Sequence, residues 1–209
     1  MASFTPNNPP TRLTMVNLNS ALNSLGGPAK QCRFAVRISP VGVNNILSQY
    51  NYGPLMRDLT MLCESTELPG RGFDISQVRY YGPTQFVPRN SKYAETHDLR
   101  FICRQESFER QLFDDWLEII NPTNIFDFNY PEQYYCQIDV YQLAEYAANQ
   151  NIRAPTEPKA VYQWSLFKAW PVTVNPQPVT WSDQDIIRLD VSFAFKYWSR
   201  PGRDITPRV

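Results

Sequence analysis

The sequence predicts a mainly β protein: an antiparallel β-sandwich or barrel of about seven strands with one flanking α-helix. Three observations support this fold class. Aromatic residues make up 14% of the 209 residues, and aromatic and β-branched side chains favour strands. Several segments alternate apolar and polar residues, which is typical of strands with one buried face. Only one segment has the spacing of an amphipathic helix.

The last predicted strand has the clearest alternation. Its candidate core residues, which fall on one face, are Leu189, Val191, Phe193 and Phe195. At about 3.3 Å per residue this strand would be roughly 40 Å long, so we expect a large sheet that one chain shares with its neighbours. The seven predicted strands are residues 32–39, 59–68, 73–87, 97–104, 134–143, 160–171 and 185–198.

The single predicted helix covers residues 106–120. Ser107 is its predicted N-cap, and Asn121 ends it because a residue before proline avoids the helical region. No second helix is predicted, and residues 41–54 are interpreted as a loop with at most one helical turn. The side chains predicted to pack the helix onto the sheet are Phe108, Leu112, Phe113, Trp116 and Leu117.

The predicted organisation is one β domain with two extensions. An Asn- and Pro-rich N-terminal arm covers residues 1–30, the β domain covers residues 31–198, and a polar tail covers residues 199–209. The N-terminal residues lack the pattern of a signal peptide. No apolar run approaches the length of a membrane span, so no membrane contact is predicted.

Charge and cysteine usage argue against several functional classes. Twenty basic and 20 acidic residues give a net charge of zero, whereas a dedicated nucleic-acid binder has a basic excess. A net charge near zero also favours self-association. No two cysteines form a C-x-x-C pair, so we predict buried free thiols, no metal site, no cofactor, and synthesis in a reducing cytoplasm. The cysteines are Cys32, Cys63, Cys103 and Cys136.

No catalytic residue is predicted. His97 is the only histidine and no G-x-S-x-G motif accompanies it. Asp114 and Asp115 are adjacent on the helix and point about 100° apart, so they do not converge. Two other functions remain open: a hydrolase whose carboxylates meet only in the fold, and a monomeric aromatic-rich β-sandwich that binds carbohydrate or protein. For the hydrolase, the candidate carboxylates are Glu64, Glu67 and Asp139.

The order of five segments resembles the tail tube proteins of contractile-tailed bacteriophages. Together these segments cover roughly residues 32–198. They are residues 62–70 (LCESTELPG), 113–116 (FDDW), 138–143 (IDVYQL), 167–171 (FKAWP), and 179–183 (VTWSD) followed by the long strand that ends in FKYW at 195–198.

The resemblance implies a structural virion protein and not an enzyme. Subunits of this family form hexameric rings whose inner sheets close into one β-barrel, and the rings stack into a hollow tube inside a contractile sheath. Related tubes serve type VI secretion. The expected partners are therefore copies of the chain, tail sheath proteins and baseplate proteins, with DNA passing through the channel without specific binding. The expected location is the virion tail, after synthesis in the host cytoplasm.

Two further expectations follow from this resemblance. The arm and the loops at residues 41–54, 121–133 and 144–160 look longer than a minimal tube subunit needs, so a tube-initiator or tube-end subunit at the baseplate or neck is an alternative role. Alternation along the strands also predicts which polar side chains face the channel. The candidate lumen-facing residues are Glu64, Thr66, Arg79, Gln137 and Asp139.

Overall fold

A computed structural model of the chain describes residues 29–42, 45–49, 53–79, 81–143, 160–182 and 184–201. Most of the predicted arm and tail, and the predicted loop at residues 144–159, lie outside these ranges. The nine strands of the described part are β1 (Phe34–Pro40), β2 (Cys63–Thr66), β3 (Arg71–Val78), β4 (Gln85–Tyr93), β5 (Thr96–Ile102), β6 (Cys136–Leu143), β7 (Ala160–Val174), β8 (Arg188–Ala194) and β9 (Tyr197–Ser199).

Seven of these strands form one antiparallel sheet in the order β1-β6-β7-β8-β5-β2, with β9 also paired to β7. The other two, β3 and β4, form a separate hairpin. The three α-helices of the described residues are α1 (Ile46–Gln49), α2 (Gly53–Leu62) and α3 (Phe108–Ile120). The predicted mainly β, antiparallel fold class is thus confirmed, although the large sheet does not close into a barrel within the described residues.

Strand β7 divides the large sheet into two halves. Its first part pairs with β6 and β9, and its last part, from Trp170 to Val174, pairs with β8. Lys168 has a left-handed φ of 55° near the change, and the pairing with β8 shifts register between Pro171 and Thr173. Such irregularities bend and twist a strand. We call β1, β6, β9 and the first part of β7 the β6 half, and β2, β5, β8 and the last part of β7 the β8 half.

The apolar faces of both halves and helix α3 enclose one core. Leu112, Phe113 and Trp116 are at most 1% exposed, and Leu117 is partly buried against the core. Phe113 stacks on Trp116 with ring centroids 6.1 Å apart. Phe108, which was predicted to pack with them, is 38% exposed. It is the first residue of the helix, and the apolar stripe of α3 meets the core only from its second turn onward.

The helix begins and ends close to the predicted residues, but its N-terminus is not capped as predicted. Ser107 is the N-cap residue, yet it has a left-handed φ of 51° and its hydroxyl makes no capping hydrogen bond. The nearby carboxylate of Glu109 instead accepts a hydrogen bond from the backbone N–H of Arg104 at 3.1 Å. This anchors the turn before the helix to its first residues.

The prediction of one long strand at residues 59–68 is wrong. Helix α2 extends to Leu62, and only the four residues of β2 follow it. Met56 and Leu59 are buried and lie three residues apart, as on one helical face. Pro54 stands early in the helix, where proline is tolerated. The helical period begins before residue 59, so the alternating part of the sequence contains only the end of the helix.

Two other predicted strands are divided in the structure. Residues 73–87 form parts of β3 and β4, with Gly82 at a positive φ of 83° in the turn between them. The last predicted strand becomes β8 and β9, which both run along β7 and are interrupted at Phe195 and Lys196. The length estimate of roughly 40 Å is therefore too long for a single strand. The alternation is nevertheless reflected in burial: Leu189, Val191 and Phe193 are 0% exposed and Phe195 is 9% exposed.

No helix among the described residues is both long enough and apolar enough to cross a lipid bilayer.

Candidate assembly surfaces

The outer face of the β8 half carries an ordered set of charges. Arg100 on β5 lies directly opposite Asp190 on β8, and its guanidinium donates two hydrogen bonds to that carboxylate, at 2.5 and 3.1 Å. The Nε of Arg188 on β8 lies 2.8 Å from a carboxylate oxygen of Glu64. Because β5 lies between β8 and β2, the second pair spans three strands. We call these four residues the charged face.

The charged face is electrically balanced and open to solvent. Its side chains are 33–49% exposed, so solvent screens both ion pairs and each adds little to stability. The hydrogen bond to Asp190 is the main reason that the pKa of Arg100 is raised, and the charges of Asp190 and Glu64 add to it. The two arginines and two carboxylates of the charged face balance each other, and Asp98, which is exposed on the same side of β5, adds one negative charge to the surface.

Sequence alternation identified Glu64 but not its partners, and it misassigned Thr66. Glu64 is the extra residue of a β-bulge, since Cys63 lies opposite Phe101 and Ser65 opposite Arg100. The bulge changes the faces of the residues that follow it. Thr66 therefore lies on the core side, where its hydroxyl is 3.0 Å from Nε2 of His97. The alternation of Arg188 and Asp190 along the last strand was the signal that could have revealed the other members.

The remaining candidate lumen residues lie elsewhere. Arg79 is exposed just beyond the end of β3. Gln137 and Asp139 are on β6, in the other half of the sheet, and Gln137 donates a hydrogen bond to Asp139 at 2.9 Å. Asp139 is only 6% exposed and accepts a second hydrogen bond from Ser165. The lumen prediction is thus wrong for Asp139, because its carboxylate is used inside the subunit to satisfy neighbouring donors.

His97 is buried against Thr66 with 4% of its surface exposed. Burial lowers its pKa from 6.5 to about 4, and the charge of Asp98 opposes part of this shift. The neutral imidazole is therefore the form that the folded chain accommodates, whereas the unfolded chain takes up a proton at higher pH. Stability from this residue is fully present above about pH 6.5 and is lost as the pH falls towards 4.

We therefore expect the free energy of unfolding to decrease by up to about 3 kcal/mol between pH 7 and pH 4 on account of His97 alone. Urea unfolding followed by circular dichroism across this range measures the loss. His97→Gln, which keeps a polar group near Thr66 but cannot titrate, is the control, since the chain contains no other histidine. Equal pH dependence in the two proteins would contradict the prediction.

Both edges of the β8 half are open. The side of β2 that faces away from β5 has no strand beside it in the described residues, and the side of Trp170–Val174 that faces away from β8 also has none. A cleft of about 380 Å³ borders the second edge, between α3 and β7. Its lining includes Leu117, Phe128, Trp170 and Val172. Unpaired edges with apolar surroundings are surfaces on which another strand can pair.

The β3–β4 hairpin has an uncovered apolar face. Phe73, Ile75 and Phe86 are 57–68% exposed, and the strand register places all three on the same side of the hairpin. At its base, the indole N–H of Trp198 donates to the carbonyl of Gly70 at 3.0 Å. Because an isolated two-stranded hairpin is marginally stable in water, this face is suited to packing against another molecule.

The loop after α3 is held in place while it exposes apolar side chains. The side-chain amide of Asn129 donates to the carbonyl of Ile119 at 2.6 Å, and the Asn129 backbone N–H donates to that of Ile120 at 3.0 Å. The side chains that this loop exposes are Ile125, Phe126, Phe128 and Tyr130, each between 69 and 79%. We call residues 125–130 the aromatic loop.

The described residues contain no group of three or more side chains that could hold a metal ion. Two of the carboxylates considered for hydrolysis, Glu64 and Asp139, are not brought together, because Glu64 lies in the β8 half and Asp139 is buried in the β6 half. Burial raises the pKa of Cys63 to about 12 and that of Cys136 well above its usual value, so both thiols stay protonated and unreactive. Cys32 is exposed, contrary to the prediction of burial, because it precedes β1 instead of lying within it.

The arrangement thus offers strand edges and exposed apolar faces for assembly. A family model of the phage tail tube protein matches residues 29–201. The chain belongs to the phage tail tube protein family. The resemblance inferred from the five segments is therefore confirmed. The chain is a structural protein of this family and not an enzyme, and it is a component of a phage or phage-like particle.

Solved structures similar to this tail tube family member include chains from an extracellular contractile injection system and from the anti-feeding prophage. A chain from the sheath/tube terminator of the extracellular system PVC, in its extended state, aligns with a TM-score of 0.54 and 14% identity over 83% of this chain and 96% of that one. A chain from the PVC sheath-tube complex gives the same TM-score and identity over 90% and 98%. A chain from the tube terminating cap of the anti-feeding prophage gives 0.52 and 14% over 83% and 90%.

At this identity the likeness concerns the fold alone. It extends over nearly the whole length of each of these chains, so the tail tube fold covers most of this chain. No curated protein matches the sequence significantly.

Proposed function

We propose that the chain forms the inner tube of a contractile tail, with six copies closing each ring. The observation that carries this proposal is the pair of open edges on the β8 half, which flank its polar face. If β2 of one copy pairs with the Trp170–Val174 edge of the next, the inner sheets continue around the ring. Closure removes every unpaired edge, which is the usual reason that sheets form barrels.

The stacking of rings is assigned to the remaining apolar surfaces. The exposed side of the β3–β4 hairpin packs on a neighbouring copy, which removes Phe73, Ile75 and Phe86 from water. At about 25 cal/mol per Å² of apolar area, such burial favours association strongly. We also assign residues 1–30 and the segment at residues 41–54, which contains α1 and the start of α2, to contacts between stacked rings. The domain boundaries at residues 31 and 198 form part of this proposal.

In this role the tube conducts DNA through its channel without binding it specifically. The sheath surrounds the tube and the baseplate lies at its end, in agreement with the sheath-tube, terminator, cap and baseplate assemblies that contain chains of similar fold. The chain is made in the host cytoplasm and resides in the tail of the particle. The polar face of the β8 half lines the channel. Of the residues predicted to face the lumen, Glu64 is the one that lies on this face.

A tube-initiator or tube-end subunit at the baseplate or neck is the second candidate. The aromatic loop favours it, because four exposed apolar side chains held on a fixed backbone suit a contact with a different protein. The two roles differ in what the pure chain forms. A main-tube subunit extends into long tubes, whereas an end subunit stops at single rings.

Electron microscopy of the purified chain, with the variant Val172→Asp, tests the proposal. Val172 lies at the open edge of β7 and is 42% exposed, so a carboxylate is tolerated in the free subunit. In the ring it would be buried without a partner, which costs several kcal/mol. We expect wild type to form rings or tubes, and the variant to need at least about a tenfold higher concentration, since tenfold corresponds to 1.4 kcal/mol.

Val161→Asp is the matched control. Val161 lies at the other end of the same strand and is 64% exposed, so its substitution leaves the open edge of the β8 half unchanged. The proposed ring contact is wrong if Val172→Asp assembles as readily as Val161→Asp. A wild-type chain that stays monomeric under all assembly conditions would overturn the tube function and favour a monomeric binding module.

A further inference from the structure

In the charged face, two carboxylates neutralise the positive charges of two arginines. The guanidinium of Arg100 is held by both oxygens of Asp190, and Arg188 reaches across β5 to Glu64. Guanidinium groups bind phosphate with the same two-pronged geometry. All four side chains remain 33–49% exposed, so a polyanion at this surface would meet the arginines directly if the carboxylates were absent.

The position of Glu64 is also unusual. It is the inserted residue of the bulge between Cys63 and Ser65, and its carboxylate lies 2.8 Å from the Nε of Arg188 on the outer surface. Without the extra residue, β2 would present only Ser65 opposite Arg100. The backbone thus departs from regular pairing at the one position that supplies the second negative charge.

We propose that the charged face lines the path of duplex DNA through the channel, and that Glu64 and Asp190 prevent Arg100 and Arg188 from binding its phosphates. This inference rests on the proposed tube function and adds the chemistry of its channel wall. A phosphate that binds an arginine releases condensed counterions, and that release drives protein–DNA association. In the wild type the arginines are already paired with carboxylates. Binding of DNA phosphates to them would therefore bring no net gain in free energy.

The test removes the two carboxylates without changing side-chain size. Tubes of Glu64→Gln/Asp190→Asn are assembled with a short fluorescent DNA duplex, sedimented and treated with nuclease. We expect these tubes to retain nuclease-protected DNA and wild-type tubes to release it. Retention should decline with salt, and the slope of log affinity against log salt should steepen by about 2, because each of two phosphate contacts contributes about 0.9.

Two further variants serve as controls for this comparison. Glu106→Gln/Glu132→Gln makes the same change in charge at exposed positions away from the charged face, and we expect it to behave as wild type. Arg100→Gln and Arg188→Gln, added to the carboxylate variant, should abolish the gained retention. Circular dichroism and thermal midpoints verify that all variants are folded.

The inference is overturned if Glu64→Gln/Asp190→Asn tubes retain no more DNA than Glu106→Gln/Glu132→Gln tubes, or if the retained DNA is digested by nuclease. Either result, obtained with well-formed tubes, leaves the tube function intact. Absence of tubes from the wild-type chain would instead overturn the tube function itself. The same salt titration on free subunits would then decide whether the carboxylates mask a DNA-binding surface.

Discussion

Trp116→Ala is expected to lower the free energy of unfolding by about 3–5 kcal/mol, the range for removing a large aromatic side chain from a core. Trp116 is 0% exposed and lies between Phe113 and Phe193, with ring centroids 6.1 and 6.0 Å away. Its indole N–H donates to the carbonyl of Tyr134 at 3.0 Å. The substitution therefore leaves both a cavity and a buried acceptor without its donor.

Chemical denaturation followed by circular dichroism measures this loss, and Trp181→Ala is the matched control. Trp181 is fully exposed, so the same substitution there should change stability by no more than about 0.5 kcal/mol. Similar effects at the two positions would contradict the assignment of Trp116 to the centre of the core.

Arg104→Met is expected to lower the free energy of unfolding markedly more than the loss of a solvent-exposed ion pair would, because it leaves the carboxylate of Glu109 buried without a cation. The side chain of Glu109 is 1% exposed, and Arg104 donates to it at 2.5 Å. Arg104 also contacts Asp58 at 3.0 Å and so links the end of β5 to both α2 and α3. Methionine retains the aliphatic volume and the backbone N–H that bonds Glu109, so the change isolates the guanidinium.

The double variant Arg104→Met/Glu109→Gln separates a lost ion pair from lost packing. A neutral amide at position 109 is cheaper to bury than an unpaired carboxylate, so the double variant should regain stability relative to Arg104→Met. Arg100→Met is the control, since its ion pair with Asp190 is 39–49% exposed, so its loss should change stability much less than Arg104→Met does. No recovery in the double variant would show that the carboxylate is not the source of the loss.

Some features were predictable because they depend on neighbours in the sequence. The alternation of Leu189, Val191 and Phe193 and the helical spacing of Leu112 and Trp116 are local patterns, and burial in the structure follows both. Helix α2 was missed because short apolar runs such as residues 59–62 fit a helix or a strand equally well. Its buried positions, Met56 and Leu59, become informative only when the period is followed from residue 53.

The candidate site depended more on tertiary contacts. Thr66 was assigned to the wrong face because a single inserted residue, Glu64, reverses the alternation that follows, and a bulge has no reliable sequence pattern. Asp139 was assigned to the channel by alternation along its strand, yet Ser165, 26 residues further along the chain, supplies the hydrogen bond that allows its burial. Likewise the partner of Glu64 is Arg188, 124 residues away.

The sequence by itself therefore determined the mainly β class, the helix α3, the apolar side of the last strand and the tail tube family, since all of these are expressed in local periodicity and in the order of short segments. Only the tertiary structure decided that the sheet divides at β7, that the β8 half has two open edges within the part of the chain that the structure describes, and that the two arginines of its outer face are neutralised. These features depend on which distant strands lie side by side and in which register, and a one-residue bulge is enough to change the face on which a side chain lies.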